Sequence, residues 1–121
     1  MILFFKVDMD LNDWSFGQII HEIFHALGRP HEHNRPDSDQ YVYVDPEWRK
    51  GGIPGYEIQE KIDTYGIPYE YRSTMHYPSG NKEKFHAIQN SNLTNNFYDT
   101  ISATFRDILW VNRAICRKVI N

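Results

Sequence analysis

The sequence predicts an α+β domain that is mostly irregular, with two helices and little sheet. Three observations carry that expectation. A helix-period run from about Phe16 to Leu27 is closed by Gly28, a short alternating run from Tyr41 to Val44 has the pattern of a strand, and a second helix-period run extends from Ser102 to about Cys116. Repeats and low-complexity segments are absent, and 121 residues suit a single domain.

Taken in order, residues 2–7 are apolar enough for one strand. In the first helix Ile19, Ile20, Ile23, Phe24 and Leu27 fall at i, i+1, i+4, i+5 and i+8, an apolar stripe that wants a packing partner. Burying one such side chain gives roughly 1.5–3 kcal/mol. Gly28 ends the helix because glycine adopts the left-handed conformation cheaply. Asp45-Pro46 breaks the strand, and Asp45 is placed to cap a short turn through Pro46, Glu47 and Trp48. Gly51 to Gly55 is a loop, Tyr56 to Tyr65 is ambiguous, with a short helix as one reading, and Tyr65 to Tyr69 is an irregular link into a turn over Tyr71 to Tyr77. The aromatic residues here are expected to cover an irregular core. Asn81 to Thr100 is polar, asparagine-rich and expected to be mobile, with a glycosylation-type triplet at Asn92-Leu93-Thr94. Ser102 is a candidate N-cap for the last helix, which would bury Phe105, Ile108, Leu109, Ile115 and Cys116.

The chemistry is concentrated in His21-Glu22-Ile23-Phe24-His25-Ala26-Leu27-Gly28-Arg29-Pro30-His31. Two histidines four apart sit about 40° apart around a helix axis, so His21 and His25 leave the same face. Glu22, roughly 100° round from His21, can reach a water held between metal and carboxylate. A reversal at Gly28 brings His31 back as a third nitrogen. Three protein ligands leave one zinc position open, as catalysis requires and a closed structural site does not. His33, His76 and His86 are not chosen as ligands: His76 can bond locally beside Tyr77, and His86 lies in a polar stretch and is expected to be solvated.

This extended pattern resembles the zinc-protease signature of the metzincins. The continuation His31-Glu32-His33-Asn34-Arg35-Pro36-Asp37-Ser38-Asp39-Gln40-Tyr41-Val42 is similar to the astacin form of it. Ser73-Thr74-Met75-His76-Tyr77 resembles the astacin Met-turn, and Ile101-Ser102-Ala103 with Asn112 to Cys116 resembles the closing helix and final cysteine. The likeness runs from about Gly17 to Cys116. It divides the chain into an unmatched leader, 1–15, and a zinc helix with C-terminal subdomain, 16–121.

The resemblance implies a zincin-like fold and a secreted or membrane-tethered zinc endopeptidase acting on peptide or protein substrates. It places His21, His25 and His31 as ligands of one Zn2+ and Glu22 as general base. Met75 takes the place of the methionine beneath the metal, and Tyr77 that of a tyrosine that stabilises the oxyanion. On residue type alone Met75 is equally a core filler, and Tyr77 the first residue of a Tyr-Pro-Ser-Gly turn. Their order downstream of a complete zinc motif favours the functional assignment. The family also places Glu32's counterpart against the amino terminus exposed by maturation; a plain surface carboxylate is the alternative.

Several features depart from that pattern. About twenty residues precede the zinc helix and do not resemble the sheet-bearing half of an astacin domain, so the chain reads as truncated on its N-terminal side. Cys116 has no partner cysteine, which suggests a missing segment or a free thiol, with a buried apolar role as the alternative. Ser38 stands where an arginine is usual between the two aspartates, weakening any salt bridge there. Arg29-Pro30 restricts the turn that must deliver His31. A formal charge of −3 offers no basic field for nucleic acid, and no apolar run has the length of a membrane span. Ile2 to Phe5 is too short for a signal-peptide core, so secretion follows from the resemblance alone. Two functions compete: a zinc endopeptidase, or an inactive zinc-binding remnant that serves as an interaction module.

Overall fold

The computed structural model describes residues 15–98 and 102–120, with side chains as far as Cys116. The strand expected over residues 2–7 lies outside the described residues. The first helix, α1, spans Phe16–Ala26. Ser15 and Gln18 form a reciprocal box at its start: Ser15 Oγ accepts from the Gln18 amide at 3.3 Å, and Gln18 Oε1 accepts from the Ser15 amide at 2.8 Å. At its end Gly28 takes φ +89°. The Gly28 amide donates to the His25 carbonyl and the Arg29 amide to the Phe24 carbonyl, both at 2.9 Å. That pair of bonds is a Schellman closure, and it sends the chain back toward the helix it has left.

Two strands follow, β1 (Val42–Val44) and β2 (Phe85–Ala87), with α2 (Pro46–Arg49) between them. They pair antiparallel with Val42 opposite Ala87, Tyr43 opposite His86 and Val44 opposite Phe85. Alternation puts Val42, Val44, Phe85 and Ala87 on one face, where they pack with Tyr69 and Phe97. Asp45 accepts from the Glu47 amide and caps α2 as expected.

Three expectations for the segments between helices change. Tyr56 to Tyr65 is not a helix. Its backbone is bonded outward instead, with the Gln59 amide donating to the Asn34 carbonyl (2.8 Å) and Asn34 Nδ2 donating to the Glu57 carbonyl (2.8 Å). Asn81 to Tyr98 is ordered around β2 and a 3-10 helix over Ser91–Asn96, and it gives the core Phe85 and Phe97. The asparagines there act as turn caps: Asn81 Oδ1 accepts from Glu83 and Asn90 Oδ1 from Asn92. Thr94 is buried and its hydroxyl accepts from the Ala87 amide at 3.0 Å. His86 is a partly exposed strand residue stacked on Tyr43 and bonded to the Lys82 carbonyl, rather than simply solvated.

The last helix, α3, spans Phe105–Ile120. Its cap is Thr104 and not Ser102: Thr104 Oγ1 accepts from the Asp107 amide (3.2 Å) and Asp107 Oδ2 accepts from the Thr104 amide (3.3 Å). The buried face is also different. Asp107, Trp110 and Ala114 are buried, while Phe105, Ile108, Ile115 and Cys116 are exposed. A buried carboxylate, invisible to an apolar count, sets the rotation of this helix. On α1 likewise Gly17, His21 and Phe24 are buried, whereas Phe16, Ile23 and Leu27 are exposed. Cys116 is a free, exposed thiol, so the buried apolar role does not hold.

Candidate metal centre

His21 and His25 project from one face of α1, and the reversal at Gly28 returns His31 to them. His31 Nε2 lies 3.2 Å from His21 Nε2 and 3.0 Å from His25 Nε2. The candidate donor atoms of all three lie within 4.8 Å of one another. Nitrogens bound to one tetrahedral zinc at about 2.0–2.1 Å would be about 3.3 Å apart, so the set fits that ion. Arg29-Pro30 does not hold His31 off.

The remaining ring nitrogens fix the tautomers. His21 Nδ1–H donates to the Thr74 carbonyl at 2.6 Å, and His25 Nδ1–H donates to the Arg29 carbonyl at 2.8 Å. Each Nε2 is therefore left with its lone pair turned to the common point. Burial, followed by the His21 ring, lowers the His25 pKa. Burial, then His25 and then His21, pushes His31 down to about 3. Neutral imidazoles are the metal-binding form.

Glu22, Gln18, His21, Tyr77, Pro78 and Tyr98 line a cavity of about 280 Å³ beside the triad. The Tyr77 ring is 4.4 Å from that of His31. Burial and then the Glu22 charge raise its pKa, so the phenol keeps its proton at neutral pH. Gly55, at φ +99°, lies against this ring: a Cβ there would meet Tyr77 Cε2 and Oη at 3.3 Å. Met75 is fully buried, and its carbonyl accepts from the Glu32 amide at 3.0 Å, which joins the Met-turn to the residue after His31.

The other histidines near the triad are internally satisfied. His33 Nε2–H donates to the Gly55 carbonyl (3.0 Å) and Nδ1 accepts from the Tyr77 amide (3.4 Å). His76 Nδ1–H donates to the Tyr77 carbonyl, and Nε2 accepts from the Tyr69 hydroxyl, both at 2.8 Å.

Behind the triad is a charge network that the sequence reading missed. Glu32 is 1% exposed, so it is not a surface carboxylate. It pairs with Arg29 and, at 2.9 Å, with Arg35. Asp107 is also fully buried and accepts from Arg29 at 3.3 Å. Two signals for this network were present in the sequence: an arginine directly after a helix-ending glycine, where an apolar residue is usual, and the Thr-x-x-Asp box opening α3. Ser38 does not leave the acidic segment unpaired. Asp37 is held by Arg35 at 2.8 Å, and Arg49 reaches Ser38 Oγ at 2.8 Å and Asp39 at 3.0 Å. Tyr98, also missed, stands at φ +58° with its ring 6.1 Å from that of His21.

A helix-borne imidazole pair, a glycine reversal and a third imidazole, with a carboxylate alongside, form a three-histidine cluster that could hold a metal ion. Comparison with known proteins gives the lineage. The model of the astacin peptidase family matches residues 6–115, and the chain belongs to that family. It is 38% identical over 111 residues to the zinc metalloproteinase dpy-31 of Caenorhabditis elegans, covering 85% of this chain and 19% of that protein. It is 37% identical over 115 residues to the zinc metalloproteinase nas-36 of Brugia malayi, covering 84% of this chain and 19% of that protein. Its fold is similar to high choriolytic enzyme 1, a hatching enzyme zinc-protease from Oryzias latipes. The TM-score is 0.61 at 27% identity, covering 79% of this chain and 50% of that one. The chain thus spans about a fifth of the length of the curated relatives it matches. The fold is zincin-like α+β, as the resemblance implied.

Proposed function

We propose that this chain forms a zinc endopeptidase site, with His21, His25 and His31 as ligands, Glu22 as general base and Tyr77 as oxyanion donor. The convergence of three Nε2 atoms at 3.0 and 3.2 Å, beside a cavity shared by Glu22 and Tyr77, carries this reading. A zinc ion there supplies Lewis acidity, acidifying water and polarising a peptide carbonyl. Glu22 takes the proton of the attacking water and passes it to the leaving amine. One water is consumed and one C–N bond is cleaved, releasing an acid and an amine. Tyr77, held protonated, donates to the oxygen that gains charge, a contact worth about 3 kcal/mol in comparable sites. Thr74 and Arg29 keep two ligand rings in the tautomer that the metal requires. Substrates are peptides or proteins, and the family points to an extracellular site of action.

The exposed Phe16, Ile23 and Leu27 favour a second reading, a zinc-binding interaction module without cleavage. Zinc stoichiometry measured together with chelator-sensitive cleavage of a peptide library separates the two. The protease reading expects one zinc per chain, cleavage abolished by chelator, and Glu22→Gln that retains zinc while losing roughly 10²–10⁴-fold in rate. Zinc without cleavage selects the interaction module. Equal cleavage by wild type and Glu22→Gln overturns the assigned role of Glu22.

A further inference from the structure

Arg29 is 3% exposed, directly follows the helix-ending glycine, and lies between two buried carboxylates. Its contacts lead to all three triad histidines. Its carbonyl accepts the His25 Nδ1–H at 2.8 Å. Its guanidinium pairs with Glu32, the residue after His31. The same Nη2 reaches Asp107 Oδ1 at 3.3 Å. Asp107 in turn holds the Met-turn: it accepts from Ser73 Oγ and, at 3.0 Å, from the Thr74 amide. The Thr74 carbonyl then accepts the His21 Nδ1–H at 2.6 Å. The guanidinium also lies 5.2 Å from the centre of the Trp110 ring, which fixes it from the α3 side.

We propose that Arg29 is the positioning residue of the metal centre. Its guanidinium ties Glu32 to Asp107, and its carbonyl and the Asp107-held Thr74 carbonyl aim His25 and His21 at the same point. This inference rests on the three-histidine reading above. The physical ground is twofold. Glu32 and Asp107 are almost without solvent, so an unpaired carboxylate at either place is costly. Arg35 neutralises Glu32 at 2.9 Å, but Arg29 joins that pair to Asp107. Groups that orient metal-ligating histidines through their second nitrogen typically change metal affinity by about 10–100-fold when altered. Arg29 acts on two such groups at once.

Arg35 provides the internal control. It is a buried cation on the same carboxylate, but its other partners are Asp37, the Ile67 carbonyl and the Tyr69 ring, none of which is bonded to a triad ring. The experiment measures zinc affinity by chelator competition for wild type, Arg29→Met, Arg29→Lys and Arg35→Met. Folded fractions are set from circular dichroism, and the d–d spectrum of the cobalt-loaded protein is recorded. Arg29→Met is expected to lose about 10–100-fold in zinc affinity and to alter the cobalt bands. Arg29→Lys, which keeps the charge, should recover part of that loss. Arg35→Met should melt earlier yet bind zinc within a few-fold of wild type, as expected when no orienting contact is touched. If Arg29→Met does not fold, Asp107→Asn replaces it with the same expected loss and band shift. The proposal is overturned if the Arg29 and Arg35 variants lose affinity equally, or if the folded Arg29 or Asp107 variant binds with wild-type affinity and unchanged bands. Wild type that binds no zinc sinks the metal reading and this inference together. Zinc binding without peptide cleavage sinks only the protease reading.

Discussion

Five histidines stand close together, and they divide into two sets. In one set, His21, His25 and His31 spend at most one ring nitrogen on the protein and turn Nε2 toward a common point. In the other, His33 and His76 spend both nitrogens on internal partners and are fully buried. The rings of His31 and His33 are only 5.2 Å apart, so proximity does not separate the sets. The second nitrogen does. A histidine with both nitrogens bonded is a strut of the Met-turn, and one with a free, aimed lone pair is a ligand candidate.

The largest way to break this contrast is to exchange the losses. His31→Ala should abolish stoichiometric zinc binding, read by metal analysis after dialysis, with little change in the metal-free melting temperature. His33→Ala should instead leave the three nitrogens in place and cost about 2–4 kcal/mol of stability, since it opens a cavity and strands the Gly55 carbonyl and the Tyr77 amide. A chain in which both variants lose zinc equally would erase the distinction.

Tyr77 lies between the sets, its ring 4.4 Å from both His31 and His33. Tyr77→Phe keeps the ring and removes the hydroxyl. It should lower kcat about 10²–10³-fold with KM nearly unchanged, as loss of one oxyanion donor does. An equal rise in KM with kcat intact would place the hydroxyl in substrate binding instead.

The sets should also differ in pH response. Burial pushes His76 down to about 4 and His33 well below its usual value. Well above pH 6.5 these rings are neutral both folded and unfolded, and they add no pH dependence. As pH falls below 6.5 the unfolded chain takes up protons that the folded chain refuses, so stability declines. His76 alone should remove about 3 kcal/mol between pH 6.5 and 4, after which its effect levels off. Urea melts of the zinc-free protein across that range measure the slope, and a His76→Asn variant should flatten it. The smallest expected effect is at His86, stacked 4.9 Å from Tyr43 on the outer face of the two-stranded sheet. His86→Ala should cost only about 0.2–1 kcal/mol in a thermal melt and leave zinc binding alone.

The triad was legible because its requirements are local: an i, i+4 pair, a glycine at positive φ, and a third ring after a tight reversal. The cap at Asp45 and the alternation of β1 were readable for the same reason. What escaped depends on partners far along the chain. Ser102 and Thr104 are both credible caps, and only the buried Asp107 selects Thr104. That carboxylate also turns Phe105, Ile108 and Ile115 outward, against the apolar count. Asn90 and Asn81 belong to a polar stretch that composition marks as loose, yet their side chains close turns that feed Phe85 and Phe97 into the core. The pairing of Glu32 with Arg29 and Arg35 was hidden because charge in a sequence looks solvent-facing until a fold encloses it.

Arg49 shows what such enclosure does to a single side chain. Every N–H of its guanidinium is engaged: two donate to the His33 and Tyr56 carbonyls, one to Ser38 Oγ and two to Asp39. An ammonium has only three hydrogens to offer, so a lysine would preserve the charge and still abandon part of this seam. The serine at position 38 thus belongs to a seam in which one guanidinium joins the segment leading into β1 to the carbonyls of His33 and Tyr56.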